Sequence, residues 1–210
     1  MNIFNHVFLK NNYQKFYQNI RYINLDHRTD RLYHINNELN NIGLTGKKFI
    51  AHFGNKGYGA RIACKNSHKD IIQESLFNNI DTVFILEDDS VFADNFLEIS
   101  EHCFKNLPED WDILFLGHCF SSVGNQISER MYSAKKIFCT HAYLVNIKAY
   151  KTIIDALNNS NQPIDHIYNR LAVNNNINVY MCNPSIVYQI PNKSDIGEGP
   201  NNSNNLINND

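Results

Sequence analysis

Apolar and polar residues follow one another along this chain in blocks that predict strands and helices in alternation. Residues 20–25 form a short apolar run that ends at Asp26, which is the pattern of a buried strand. Residues 29–40 then carry apolar side chains at spacings of three and four, which predicts an amphipathic helix that stops near Gly43. The first predicted elements are therefore a strand followed by a helix.

The same two patterns recur as far as residue 190. Short apolar runs predict further strands at 48–53, 82–86, 111–116, 137–145, 178–181 and 185–190. Helical spacing of apolar residues predicts helices at 60–78, 94–105, 148–158 and 164–173. The polar stretch 121–133 predicts a mobile loop between two of the strands.

Strands that alternate with helices over about 180 residues predict an α/β fold, with a mostly parallel central sheet flanked by helices. We assign residues 19–196 to a single domain, residues 1–18 to a leader without clear periodicity, and residues 197–210 to an asparagine-rich flexible tail. A chain of 210 residues can bury enough apolar surface to fold without a disulfide or a structural metal.

Composition and charge argue against several classes of function. Lys and Arg total 19 against 21 Asp and Glu, so the chain has no excess positive charge with which to bind nucleic acid. No run approaches the roughly 20 apolar residues of a membrane span, and the first ten residues do not resemble a secretion signal. The 5 cysteines are irregularly spaced, which predicts reduced thiols and a cytoplasmic protein rather than a disulfide framework.

Three consecutive acids, Glu87, Asp88 and Asp89, follow the best-defined predicted strand. Ligands of open α/β sheets bind beyond the carboxyl ends of the strands, so we expect these acids to share a crevice with residues 24–26 and 117–118. Three carboxylates at a buried strand end repel one another unless a cation or water meets them, and Mn²⁺ or Mg²⁺ suits such ligands. The alternative is a solvated turn whose acids cap the following helix.

Three motifs stand in order along the chain: YINLDHRTDR at 22–31, ACKNSH at 63–68 and FILEDD at 84–89. Further matching segments follow at 111–114, 140–145, 163–165, Gln189 and 194–196. Together they resemble glycosyltransferase family 25, which includes bacterial lipooligosaccharide galactosyltransferases and collagen-modifying galactosyltransferases. The resemblance spans most of the chain, and its specificity lies in the ordered set rather than in any one motif.

The resemblance implies a GT-A-like glycosyltransferase fold and an inverting transfer of galactose or glucose from a UDP-sugar. Residues 87–89 would then take the place of the DxD signature, with Asp89 and Glu87 as ligands of Mn²⁺ or Mg²⁺. The chemical need for the ion is general, because a diphosphate leaving group gains negative charge that a divalent cation stabilises.

The resemblance also implies which side chains contact the UDP-sugar donor. They follow the first strand, lie on the second helix or belong to the acidic triplet: Asn24, Asp26, Arg28, Arg31, Ser67, His68, Glu87 and Asp88. A late segment is expected to close over the diphosphate through Gln189, Ser194 and Asp195. The residues alone leave another interpretation open, in which Asp26 caps a helix and the two arginines are surface groups.

An inverting transfer needs a general base for the acceptor hydroxyl, and our candidate is Asp165, which stands at the start of a predicted helix. Its alternative role is to cap that helix. Asp112 is an outside candidate for the base, with a structural role as the favoured alternative, and His141 is expected either to line the acceptor side or to pack in the core. Cys64 and His68 could form a nucleophile and its base, but no third residue orients them, and zinc-site spacing is absent from the sequence.

The leading hypothesis is a metal-dependent glycosyltransferase that adds a hexose to a hydroxyl group of a glycan or of hydroxylysine in a collagen-like chain. One alternative is a catalytically inactive nucleotide-sugar-binding protein or partner subunit. Another is a metal-dependent phosphohydrolase built on the same acids. Dependence of turnover on an acceptor separates a transferase from a hydrolase.

Overall fold

The structure is a computed structural model and describes residues 13–190, apart from the side chains of residues 120 and 121. Three sequence predictions concern residues outside this range: the leader before residue 13, the closing residues Ser194 and Asp195, and the tail at 197–210. The boundary of the predicted domain at residue 196 also lies outside it.

The predicted alternation of strands and helices is present throughout the described residues. The strands are β1 (Ile20–Asn24), β2 (Lys47–Ile50), β3 (Thr82–Glu87), β4 (Ser90–Phe92), β5 (Ile113–Gly117), β6 (Phe120–Ser128), β7 (Met131–Phe138), β8 (Ala142–Asn146), β9 (Val179–Cys182) and β10 (Val187–Gln189). The helices are α1 (Thr29–Asn41), α2 (Tyr58–Phe77), α3 (Phe96–Lys105), α4 (Ile147–Asn158) and α5 (Ile164–Val173), with a 3₁₀ turn at Gln14–Phe16.

The central sheet contains eight of these strands in the order β2-β1-β3-β8-β5-β9-β7-β6. Six of them run in the same direction, whereas β8 and β7 run in the opposite one. The predicted mostly parallel sheet is therefore confirmed. The short strands β4 and β10 form a separate antiparallel pair that brings Gln189 opposite Ser90.

Helices cover both faces of the sheet, which explains why the central strands are continuously apolar. In β3, Phe84 and Leu86 pack into a core shared with α1 and α3, while Val83 and Ile85 pack into a core shared with α2, α4 and α5. Because successive side chains of a strand point to opposite faces, a strand between two helical layers must be apolar at every position. The polar residue that follows, Glu87, marks the place where β3 leaves the core.

The prediction of a mobile loop at 121–133 is wrong, because β6 and β7 form an antiparallel hairpin there. Polar residues suit this hairpin because it lies at the edge of the sheet. The single strand predicted at 137–145 is divided at residues 139–141 into the end of β7 and the start of β8.

The prediction that all cysteines are reduced is also wrong, since Cys119 and Cys139 form a disulfide. The hairpin supplies the physical reason. Phe120 and Phe138 are paired across β6 and β7, so the two cysteines just outside this pair are brought side by side. Cys64, Cys103 and Cys182 are free thiols. Within the described residues, no helix is long and apolar enough to cross a membrane.

Candidate active site

A cavity of about 670 Å³ opens at the carboxyl ends of β1, β2 and β3. This edge of the sheet is where the sequence predicted a crevice. The predicted site residues that line the cavity are Arg31, Ser67, His68, Glu87, Asp88, Asp89, Asp165 and Gln189. They come from five separate segments of the chain, so the fold has assembled them.

Arg31 holds two of the three consecutive acids. Its Nη1 lies 2.9 Å from Asp88 Oδ1 and 3.2 Å from Asp89 Oδ2, and all three side chains are buried. Asn24, at the end of β1, donates from Nδ2 to Asp88 Oδ2 at 2.8 Å and does not line the cavity. Asn24 and Arg31 therefore fix the carboxylate of Asp88 from two sides.

Residues from later in the chain complete the acidic cluster. Gln189, on β10, donates from Nε2 to Asp89 Oδ1 at 3.1 Å and to Glu87 Oε2 at 3.4 Å. The hydroxyl of Thr140 donates to Glu87 Oε1 at 3.4 Å. A backbone hydrogen bond also holds this region, since the amide of Glu87 donates to the carbonyl of His141 at 2.8 Å.

Burial gives the three acids different proton affinities. Burial and the neighbouring charge of Glu87 raise the pKa of Asp89 to about 7. Burial also raises the pKa of Asp88, although Arg31 and Asn24 act in the opposite direction. Burial alone would raise the pKa of Glu87, but His68, followed by His141 and Arg31, together more than offset this, so that pKa is lowered. The raised pKa of Asp89 therefore reflects carboxylates held close together in a buried place, and a cation bound beside it would lower that pKa.

His68 connects the acids to a buried chain of hydroxyl groups. One ring nitrogen, Nε2, lies 3.5 Å from Glu87 Oε1, and the other, Nδ1, is 2.9 Å from the hydroxyl of Tyr143. That hydroxyl is in turn 3.2 Å from the hydroxyl of Tyr168 on α5. Ser67, next to His68 on α2, accepts a hydrogen bond from the amide of His52 and so ties the loop after β2 to the helix.

Asp165 lies in the first turn of α5, and its Oδ1 accepts a hydrogen bond from the amide of His166 at 2.8 Å. It is only half-buried and lines the cavity, so the position suits both of its predicted roles. Cys64 lines the same cavity. Burial, and then the charges of Glu87, Asp165 and Asp89, raise the pKa of its thiol well above the usual range, which disfavours a nucleophilic thiolate.

Several predicted residues are not brought to the cavity wall. Asp26 is exposed and bonded to Lys48, and Arg28 pairs with Asp30, so a part for Asp26 and Arg28 in donor binding stays a prediction. His141 is buried against the carbonyl of Val187. The candidate base Asp112 accepts a hydrogen bond from the backbone amide of Asn178, and His118, at the end of β5, bonds to the carbonyl of Cys182, so neither lines the cavity.

The cavity also contains residues that sequence reasoning missed. Phe53 lines it while remaining 74% exposed, and its ring meets that of His27 edge to face at a centroid distance of 6.2 Å. Lys56 and Arg61 add positive charge at the start of α2. The signal available in the sequence was the glycine-rich stretch 54–59, because a Cβ at Gly54 would collide with the carbonyl of Gly59.

The acids fit a divalent cation by charge, since Arg31 brings one positive charge to three carboxylates in a buried setting. Within the described residues, these acids do not form a set of three ligand atoms within 4.8 Å of one another. Oxygens from a diphosphate and from water would therefore have to complete the coordination of such an ion.

The fold resembles that of a solved glycosyltransferase involved in glycosylation of the major capsid of PBCV-1. The TM-score is 0.53 at 10% sequence identity, covering 84% of this chain and 94% of that chain. A Drosophila β1,4-galactosyltransferase 7, solved as a mutant with manganese, UDP-Gal and xylobiose, aligns at a TM-score of 0.49 and 12% identity, covering 82% of this chain and 70% of that chain. No curated protein matches the chain.

The fold is therefore GT-A-like, with an acid-lined cavity at the carboxyl ends of its strands. A family model described as glycosyltransferase family 25 (LPS biosynthesis protein) matches residues 58–168, from the start of α2 into α5. The chain therefore belongs to glycosyltransferase family 25. The predicted family, fold class and enzyme class are confirmed.

Proposed function

We propose that this protein is a metal-dependent inverting glycosyltransferase that moves galactose or glucose from a UDP-sugar to a hydroxyl group of a glycan or of a collagen-like chain. The observation that carries the proposal is the cluster of Glu87 with the buried Asp88 and Asp89 in the wall of the cavity. Its excess negative charge is the environment that a divalent ion with a bound diphosphate would neutralise.

Asp89, with Glu87, is the proposed ligand pair for Mn²⁺ or Mg²⁺. Such an ion would stabilise the negative charge that develops on the diphosphate when the sugar leaves. Gln189 holds Asp89 and Arg31 bridges Asp89 and Asp88, so the carboxylates are positioned before any ligand arrives. Preorganisation of this kind lowers the cost of ordering the site during the reaction.

The donor is proposed to enter beside the start of α2. Lys56 and Arg61 line this part of the cavity and could bind diphosphate oxygens. Phe53 and His27 form an exposed aromatic pair at the same cavity, which suits stacking of the uracil ring. Phe53 and His27 would thus bind the base, while Lys56 and Arg61 would bind the diphosphate.

Phe53→Ala is expected to raise the Kd for UDP about 10-fold, because aromatic stacking on a base contributes roughly 1–3 kcal/mol. The Kd for inorganic diphosphate should not change, and calorimetric titration measures both. Phe77→Ala is the matched control, since Phe77 is 85% exposed at the other end of α2. Equal UDP affinity in Phe53→Ala and the parent protein would remove Phe53 from the donor site.

The proposal as a whole is tested by titrating the protein with UDP, UDP-glucose and UDP-galactose, with and without Mn²⁺. We expect Mn²⁺-dependent binding that Asp89→Asn weakens about 10- to 100-fold, the effect of losing one charged ligand interaction of about 1.5–3 kcal/mol. Asp94→Asn serves as the control, because Asp94 is an exposed acid five residues away. Failure of every uridine nucleotide to bind under either condition would refute the UDP-sugar assignment.

The acceptor hydroxyl is proposed to approach from the side of α5. Asp165 would take its proton as the oxygen attacks the anomeric carbon, which is the role of a general base. Its half-exposed position at the cavity wall lets an acceptor reach the carboxylate from solvent. Attack from the face opposite the leaving diphosphate inverts the configuration of the sugar.

A further inference from the structure

Two cysteines and a histidine meet beside the acidic cluster. Cys119 lies between β5 and β6, while Cys139 and His141 lie in the connection from β7 to β8. One potential ligand atom from each of the three residues lies within 4.8 Å of the other two. In the structure the two sulfur atoms are joined in the disulfide.

His141 is held in the form that metal-binding histidines adopt. The residue is 1% exposed, and its Nε2 lies 2.9 Å from the carbonyl oxygen of Val187, which can only accept a hydrogen bond. Burial lowers the pKa of His141, so the ring is neutral and its other nitrogen, Nδ1, carries a lone pair. That atom is buried without a hydrogen-bond partner in the structure. A ring N–H fixed by a backbone carbonyl is the usual support of a metal-bound imidazole.

We propose that Cys119, Cys139 and His141 bind one zinc-class ion when a thiol reductant opens the disulfide. The reductant, a dithiol, supplies two electrons and two protons and becomes a disulfide itself, leaving two cysteine thiols. Binding of the ion then releases the two thiol protons to solvent. The sulfur atoms need only separate to about 3.7 Å, the spacing that tetrahedral coordination with Zn–S bonds near 2.3 Å requires.

The ligand chemistry separates this site from the acidic cluster. Two thiolates and an imidazole favour Zn²⁺ over Mn²⁺ or Mg²⁺, which prefer oxygen ligands. Two thiolates also balance the charge of a divalent ion, so the occupied site would be neutral overall. The ion would replace the covalent link with a coordinative one, so the β5–β6 and β7–β8 connections would be joined under reducing as well as oxidising conditions.

Cys119, Cys139 and His141, here called the trio, lie next to side chains that hold the acids in place. The Sγ atom of Cys119 lies 3.5 Å from Oε1 of Gln189, whose Nε2 bonds to Asp89. Thr140, between the other two members of the trio, bonds to Glu87. The bonded sulfur has no hydrogen to donate to Gln189, so the effect on the acids runs through Thr140: losing the link would free its hydrogen bond to Glu87, whereas metal binding would retain it.

The test is Co²⁺ titration of the full chain, once oxidised and once reduced under anaerobic conditions. Co²⁺ bound by thiolates gives a sulfur-to-metal charge-transfer absorption that oxygen ligands do not give. We expect the absorption only in the reduced chain, saturating at one ion per chain and abolished by added Zn²⁺. Cys119→Ser and Cys139→Ser should lose it, and His141→Gln should weaken Co²⁺ binding at least about 10-fold.

Three control variants locate the signal. Cys103→Ala removes a buried cysteine that is not in the trio, and Asp89→Asn removes the proposed oxygen ligand, so both should retain the absorption. Cys64→Ala should retain it too, although Cys64, His68 and Glu87 also have ligand atoms within 4.8 Å of one another. Circular dichroism confirms that each variant is folded. Absence of the absorption in the reduced chain, or its loss in Cys64→Ala but not in Cys139→Ser, would overturn the proposal.

Discussion

Asp165→Asn is expected to lower the rate of sugar transfer by about 10²- to 10⁴-fold, the usual contribution of general base catalysis. Asparagine cannot accept the proton of the acceptor hydroxyl, but its Oδ1 can still accept the hydrogen bond from the amide of His166 at the start of α5. The helix should therefore form normally, and the Kd for the UDP-sugar should not change. Steady-state kinetics, or hydrolysis of the UDP-sugar before an acceptor is known, measures the rate.

Asp155→Asn is the matched control for this experiment, because Asp155 is an exposed acid on the neighbouring helix α4. Its rate should equal that of the parent protein. If Asp165→Asn also keeps a rate within about threefold of the parent, a difference of less than about 1 kcal/mol, Asp165 is a helix-start residue only. The base would then have to be sought among the other side chains that line the cavity.

Arg31→Met is expected to lower the free energy of unfolding by about 3–5 kcal/mol, because it leaves the carboxylates of Asp88 and Asp89 buried without their cation. Methionine fills much of the same space, so the loss would reflect charge rather than a cavity. Urea unfolding in metal-free buffer measures the effect. Donor binding should weaken in the same variant, since Asp88 and Asp89 lose their fixed positions.

Lys48→Met is the control for Arg31→Met, since it also removes a cation from an ion pair. Its partner, Asp26, is 77% exposed, so water already compensates the charge. We expect a change of less than about 1 kcal/mol in the free energy of unfolding. A similarly small change in Arg31→Met would mean that Asp88 and Asp89 do not depend on Arg31 for their stability.

The layered fold could be predicted because apolar patterns report burial directly. The run 83–86 is apolar at every position, which is what a strand between two helical layers requires, and β3 contains it. The hairpin of β6 and β7 gave no such signal, because edge strands with polar side chains resemble loops in sequence. The disulfide was missed for the same reason, since only the hairpin pairing places Cys119 beside Cys139.

The acidic part of the site could also be predicted, because a strand end in an α/β sheet fixes where Glu87, Asp88 and Asp89 lie. The direction in which loop side chains point could not be predicted. Asp26 follows the same strand as Asn24 yet faces solvent, and this depends on loop geometry that no periodic pattern records. The pairing of Phe53 with His27 likewise joins two loops that are distant in sequence.

The antiparallel pairing of β4 with β10 affects when the acidic site can be completed during protein synthesis. Gln189 reaches Asp89 across 100 positions of chain, and Val187 pairs with Phe92 in the same short ribbon. Most of the sheet can form during synthesis, but this ribbon cannot until its second strand has left the exit tunnel. The nascent protein would therefore acquire its acids early, and the contact between Gln189 and Asp89 only after β10 has emerged.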